Sequence, residues 1–151
     1  MIRFLKIWDV KSPERGTKVA SWIDWFIPLD FKPTKMNIWD SIVIKSWIKC
    51  IIAENYEMVF YNKSWVAIKK WLIIGAQVID SDFRWEFSFH LTKISWDEIE
   101  LNPWDKIVQG IIRKIELNIP EEITEEEFNS IVNNEKTNER WEWKFGSTGT
   151  R

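Results

Sequence analysis

Hydrophobic positions in this chain recur in short runs, either alternating with polar residues or clustered as β-branched pairs and triplets. Such runs cover 2–7, 42–44, 48–53, 58–61, 72–74, 78–79, 86–91, 98–101 and 107–117, and the turn residues between them predict many short strands. Strands of that length and spacing belong to an all-β sandwich or barrel. Helical potential is confined to two places. One is a single turn over 64–70. The other is opened by Pro120, where a prolyl ring suits a first turn and Glu121, Glu122, Glu125, Glu126 and Glu127 favour a helix amino terminus. A helix that began later would instead use Thr124 and Glu127 as a capping box. From Asn133 onward the chain turns polar and reads as a flexible arm. The resulting division is a β core over 1–118, a linker with helical potential over 119–138 and an arm over 139–151.

Length sharpens this picture to one domain, since 151 residues support a single core. A net charge of -2 supplies no field for collecting nucleic acid, and no apolar run reaches the ~18 residues of a membrane span. The first residues alternate like a strand and carry no export pattern, so a cytoplasmic location is expected. One Cys and one His exclude a Cys/His-rich zinc site and an internal disulfide.

Composition holds one anomaly, twelve Trp against five Gly, where ordinary usage predicts roughly 11 Gly. Trp normally sits in a core or interface. Here it falls among turn residues, as in Asn37-Ile38-Trp39-Asp40, Ser95-Trp96-Asp97 and Asn102-Pro103-Trp104-Asp105, where a chain wants glycine for a positive φ. A Cβ in the left-handed region costs roughly 1–2 kcal/mol. Reading all twelve provisionally as glycine yields a composition suited to a turn-rich β protein.

The densest carboxylate group is Val78-Ile79-Asp80-Ser81-Asp82-Phe83-Arg84. Its acids share a face if the stretch stays extended and diverge if it turns. It reads either as a solvated hairpin tip or as a general base or metal carboxylate at a strand end. Asn62-Lys63-Ser64 suits phosphate oxygens if a helical turn follows, and Gly146-Ser147-Thr148-Gly149 could wrap a phosphate. Each is weak alone. His90 in an apolar strand reads as a structural imidazole, and Cys50 beside Ile51 and Ile52 as a small core residue.

Together these pieces form an ordered set. Ala20-Ser21-Trp22-Ile23-Asp24, Asn62-Lys63-Ser64-Trp65-Val66-Ala67, Gly75-Ala76-Gln77-Val78-Ile79-Asp80-Ser81-Asp82-Phe83-Arg84-Trp85-Glu86, Trp104-Asp105-Lys106-Ile107-Val108-Gln109 and Glu139-Arg140-Trp141-Glu142-Trp143-Lys144-Phe145-Gly146-Ser147-Thr148-Gly149 resemble the five motifs of the homotrimeric dUTPases. The likeness covers nearly the whole chain. The related dCTP deaminases fit less well, lacking the Phe-Gly-Ser-Thr-Gly arm and usually carrying Pro-Gly where this chain has Ser81-Asp82.

The resemblance implies a distorted jelly-roll β-barrel and a homotrimer with three interfacial active sites, each completed by another chain's arm. It implies hydrolysis of dUTP to dUMP and pyrophosphate with Mg²⁺. Asp80 matches the general base that activates the attacking water, and Asp24 matches the carboxylate that holds the metal through water. Lys63, Ser64 and Gln109 match phosphate contacts. Ala76, Gln77 and Val78 match the uracil edge, and Phe83 matches the ring under the deoxyribose. Arg140, Phe145, Gly146, Ser147 and Thr148 match the arm that covers base and γ-phosphate.

Departures concentrate on Trp, because positions 22, 47, 65, 71, 85, 104, 141 and 143 fall where the family has Gly or another small residue. One explanation covers them: the gene uses UGA as a glycine codon. Taken literally, the tryptophans would impair folding and catalysis. Two other readings follow from that, a catalytically silent nucleotide sensor on the same fold, or an aromatic-rich module that stacks on sugars or single-stranded nucleic acid.

Overall fold

The computed structural model describes residues 2–134. It contains β1 (Ile2–Lys6), β2 (Ile23–Phe26), β3 (Thr34–Met36), β4 (Ser41–Ile52), β5 (Tyr56–Asn62), β6 (Leu72–Ile74), β7 (Val78–Ile79), β8 (Glu86–Lys93), β9 (Ile99–Leu101), β10 (Lys106–Lys114) and one α-helix, α1 (Glu125–Asn134). One compact unit ends at Leu117 and a second begins at Asn118.

Alternation explains the long strands. β8 reads Glu-Phe-Ser-Phe-His-Leu-Thr-Lys, with Phe87, Phe89, Leu91 and Lys93 buried and the residues between them half-buried, the two-residue period of a strand with one face on a core. Sheet order is β1-β4-β8-β6 in one four-stranded sheet and β2-β10-β5-β7 in the other, with β3-β9 as a separate pair. Every pairing is antiparallel. Between the sheets Trp25, Phe60, Phe87 and Phe89 pack edge-on or tilted at 5.2–5.8 Å between centroids. Offset and perpendicular ring packing of this kind is the favoured geometry.

Two predicted strands, 42–44 and 48–53, are one strand, β4, whose pairing to β8 shifts register between Lys45 and Lys49. A bulge of that sort bends a strand without ending it. β2 and β3 lie outside the predicted runs. Ile23–Phe26 is buried at all four positions, so it has no alternation to read, and Thr34–Met36 is three residues long. The stretch after Ser64 does turn, as a π-helical turn over Val66–Lys70. Farther on, α1 begins at the later of the two starts. Thr124 Oγ1 accepts from the Glu127 N–H at 3.2 Å, and Glu127 Oε2 accepts from the Thr124 N–H at 2.8 Å. This capping box holds the Glu127 carboxyl below its usual range, chiefly through the Thr124 backbone N–H.

Tryptophan divides the fold into two kinds of position. Five non-glycine residues have positive φ among those described, and four of them are Trp39, Trp47, Trp71 and Trp104. Trp39 and Trp104 sit in turns closed by Asp40 N–H to Asn37 C=O at 3.0 Å and Asp105 N–H to Asn102 C=O at 3.2 Å. Trp47 forms the β4 bulge, and Trp71 ends the π-turn in a left-handed conformation. Trp96 does not join them, since its backbone lies outside the positive-φ set. Trp25 is the opposite case. It is buried at the centre of the aromatic cluster, and Gly110 makes room for it, because a Cβ there would stand 2.9 Å from the indole Nε1. Reading all twelve tryptophans as glycine therefore fails at Trp25, where glycine would leave the core without its largest side chain.

Candidate functional site at the two ends of one strand

Strand β5 organises the predicted site residues. β10 lies on one side of it, pairing Gln109 with Tyr61, and β2 pairs Asp24 with the same Gln109. Asp24, Gln109 and Tyr61 thus form one row across three strands, and Lys63 and Ser64 follow directly beyond Asn62. In this row Asp24 is buried, and its carboxylate is held from both sides: Lys63 Nζ donates to Oδ1 at 2.7 Å, and Lys106 Nζ stands 3.3 Å from Oδ2. Glu14 Oε1 pairs with Lys106 at 2.9 Å. That hydrogen bond first, then Asp24, raises the Lys106 pKa above its ordinary value. Glu14 is fixed there by the backbone, through Asp24 N–H to Glu14 C=O at 2.8 Å and Glu14 N–H to Asp24 C=O at 3.2 Å. Glu14, Lys106, Asp24 and Lys63 make a chain of alternating charge. The sequence motif contained Lys106 without assigning it a role.

On its other side β5 carries β7, with Val59 paired to Val78 and Met58 to Ile79. Phe60 N–H donates to the Gln77 C=O at 2.8 Å, so Ala76, Gln77 and Val78 run along this free edge, with Ala76 and Val78 exposed. Gly75 is compelled here, because a Cβ would lie 2.1 Å from His90 Nδ1. His90 itself meets Ser41 Oγ at 2.7 Å, in keeping with a structural imidazole.

The stretch after β7 turns, with Phe83 N–H donating to the Asp80 C=O at 3.2 Å, so Asp80 and Asp82 diverge. Asp80 is exposed and lines an open depression of about 610 Å³ together with Glu54, Asp82, Arg84 and Leu117. Phe83 is half-buried against the core, with its ring 5.7 Å from Trp85. Cys50 is buried, which pushes its thiol up to about 12 and leaves it inert at neutral pH.

The register separates the candidates. Asp80 follows Ile79, which pairs with Met58, so it stands beside Glu57 at the start of β5. Lys63 lies six residues farther on, a span on the order of 20 Å at strand rise. One chain therefore does not bring Asp80 to Asp24, Lys63, Ser64 and Gln109. Arg140, Phe145, Gly146, Ser147 and Thr148 lie outside the described residues.

A protein-family model described as dUTPase matches residues 29–148. The chain belongs to the dUTPase family. It is 26% identical to the deoxyuridine 5'-triphosphate nucleotidohydrolase of Mus musculus over 149 residues, 98% of this chain and 85% of the mouse protein. Among solved structures, a variant of the Staphylococcus bacteriophage 80alpha dUTPase with dUpNHpp is 19% identical with a TM-score of 0.82, spanning 99% of this chain and 98% of that one. A variant of the S. aureus phage phi11 dUTPase, in which a structural Mg(II) ion is coordinated, is 19% identical with a TM-score of 0.72 over 85% of this chain and 99% of that one. The fold is the distorted jelly roll of this family.

The donor chemistry of this dUTPase-family chain bears on metal binding. Among the described residues no three His, Cys, Asp or Glu side chains gather into a cage, and both Asp24 oxygens face ammonium groups. With both oxygens so held, direct coordination of a metal by Asp24 would require a lysine to leave, whereas contact through water would not.

Proposed function

We propose that this chain hydrolyses dUTP to dUMP and pyrophosphate, with Asp80 taking the proton from the water that attacks the α-phosphorus. The reading rests on family membership. The observation that carries the catalytic assignment is an exposed carboxylate at the end of β7, at the mouth of an open depression, where a water and a phosphate can both approach it. Lys63, Ser64 and Gln109 bind phosphate oxygens, with Lys63 supplying charge as a point cation. Ala76 and Val78 offer backbone groups to the uracil edge along the outer edge of β7, while Gln77, whose C=O accepts from the Phe60 N–H, ties this stretch to β5. A polar edge left unsatisfied by the wrong base discriminates strongly. Phe83 packs under the deoxyribose, and Arg140, Phe145, Gly146, Ser147 and Thr148 close over the base and γ-phosphate, excluding all water but the nucleophile. Asp24 would hold Mg²⁺ through water, and the ion would offset triphosphate charge and stabilise the charge that develops at the phosphorus.

The separation of Asp80 from the phosphate residues along β5 supports the homotrimer. A carboxylate on one copy would work on a phosphate held by another, with the arm completing the site. Pyrophosphate release from dUTP with Mg²⁺, compared with Asp80→Asn, tests the reading. Turnover abolished by that substitution is expected. Binding of dUpNHpp without turnover in the unvaried chain would make it a nucleotide sensor instead, a reading favoured by the exposed Trp65 next to Ser64.

A further inference from the structure

We propose that Lys106 is a positioning residue for nucleotide binding: it keeps Asp24 paired while Lys63 leaves that carboxylate for the phosphates. This rests on the dUTPase reading above. In the structure Lys63 is committed to Asp24 at 2.7 Å, so it cannot at the same time give its full charge to a nucleotide. A buried carboxylate stripped of its only partner is strongly disfavoured. Here it has two, and Lys106, 3.3 Å from the other oxygen, remains when Lys63 turns away. Glu14 draws Lys106 in the opposite direction at 2.9 Å, which weakens its hold on Asp24 and strengthens the competing claim of Lys63. The alternating chain thus sets how readily Lys63 is released.

Its two outer members carry opposite predicted signs. Lys106→Met leaves Asp24 dependent on Lys63 and weakens binding of dUpNHpp with Mg²⁺ by about tenfold, and Lys106→Arg restores it. Glu14→Gln, at a half-exposed side chain, frees Lys106 for Asp24 and tightens binding. Titration calorimetry on the intact chain reads both, with circular dichroism recording the fold. A structural role for the cluster would shift both variants the same way, and that result, or no tightening by Glu14→Gln, overturns the proposal even where Lys106→Met fails to fold. Failure of the unvaried chain to bind dUpNHpp overturns the dUTPase reading itself.

A second inference rests on backbone conformation alone. The geometry points to glycine, encoded by UGA, at positions 39, 47, 71 and 104, and to true tryptophan, encoded by UGG, at 25. The first four hold left-handed backbone in two turns, a bulge and a helix end, the places where glycine is the default residue. Trp25 is buried among Phe60 and Phe87, with a glycine opposite to admit it. The gene would then require a glycine-charged tRNA that reads UGA, and a translation system lacking one would stop no later than position 39. Sequencing the gene tests this position by position. TGA at all four and TGG at 25 is expected, and TGG at any of the four, or TGA at 25, overturns the assignment.

Discussion

The two ends of β5 do different electrostatic work. Near Asn62 the charges are paired and half-hidden: Asp24 is buried between Lys63 and Lys106, and Lys106 is shared with Glu14. At Tyr56 the neighbouring carboxylates behave differently. Asp80 and Asp82 are exposed on a turn, and Glu57 is taken up by Arg113. A buried, compensated charge keeps its geometry and orients a polyanion. An exposed carboxylate on a turn can accept a proton without an ion pair being broken first. On the proposed reading, binding and proton transfer sit in separate environments of one sheet, and a complete site needs a second copy of the chain.

Changing Asp80 should have the largest effect. Asp80→Asn removes the base while leaving the other end intact, so turnover of dUTP should fall by ~10²–10⁴-fold with dUpNHpp affinity nearly unchanged, measured by pyrophosphate release and calorimetry. Equal losses in both would place Asp80 in binding and erase the distinction between the ends. The sharpest version mixes chains. Asp80→Asn and Lys63→Met proteins, each impaired alone, should recover turnover when refolded together, because a site built across copies can draw its sound carboxylate from one and its sound lysine from another. Persistent silence of the mixture would require a site within a single copy. Lys63→Met alone should weaken dUpNHpp by about tenfold or more, with a shallower dependence on salt than the unvaried chain.

Much of this arrangement could be read from the chain before the fold was known. β8 announces itself by period, β10 by its β-branched run, and the Thr124/Glu127 capping box by its three-residue spacing. β2 does not, because Ile23–Phe26 is buried on both faces and includes Asp24, a charge that only its two lysine partners make tolerable there. Motif order singles out Asp24, Lys63, Asp80 and Gln109. Their division into two groups is hidden, since β5 lies between β10 and β7 and that order depends on long-range pairing. Lys106 stayed unassigned for the same reason: its partner Glu14 reaches it through an isolated bridge to Asp24, a contact that no local pattern marks.

The smallest expected effect separates the ends by backbone and not by charge. Trp71 lies on the Lys63 side, ending the π-turn with φ of 49°. Trp85 lies on the Asp80 side, just past the turn, exposed and outside the positive-φ set. Trp71→Gly should raise stability by ~1–2 kcal/mol, since it removes a Cβ from the left-handed region. Trp85→Gly should bring no gain and cost up to about 1 kcal/mol, because no backbone strain is relieved and the edge-on contact with Phe83 is lost. Urea unfolding of the two variants measures the contrast. If Trp71→Gly proved neutral, the indole would be gaining from its surroundings as much as its backbone loses, and the phosphate side would owe its shape to the side chain. A gain confined to Trp71 would locate the strain in the turn that sets the direction of the chain after Ser64.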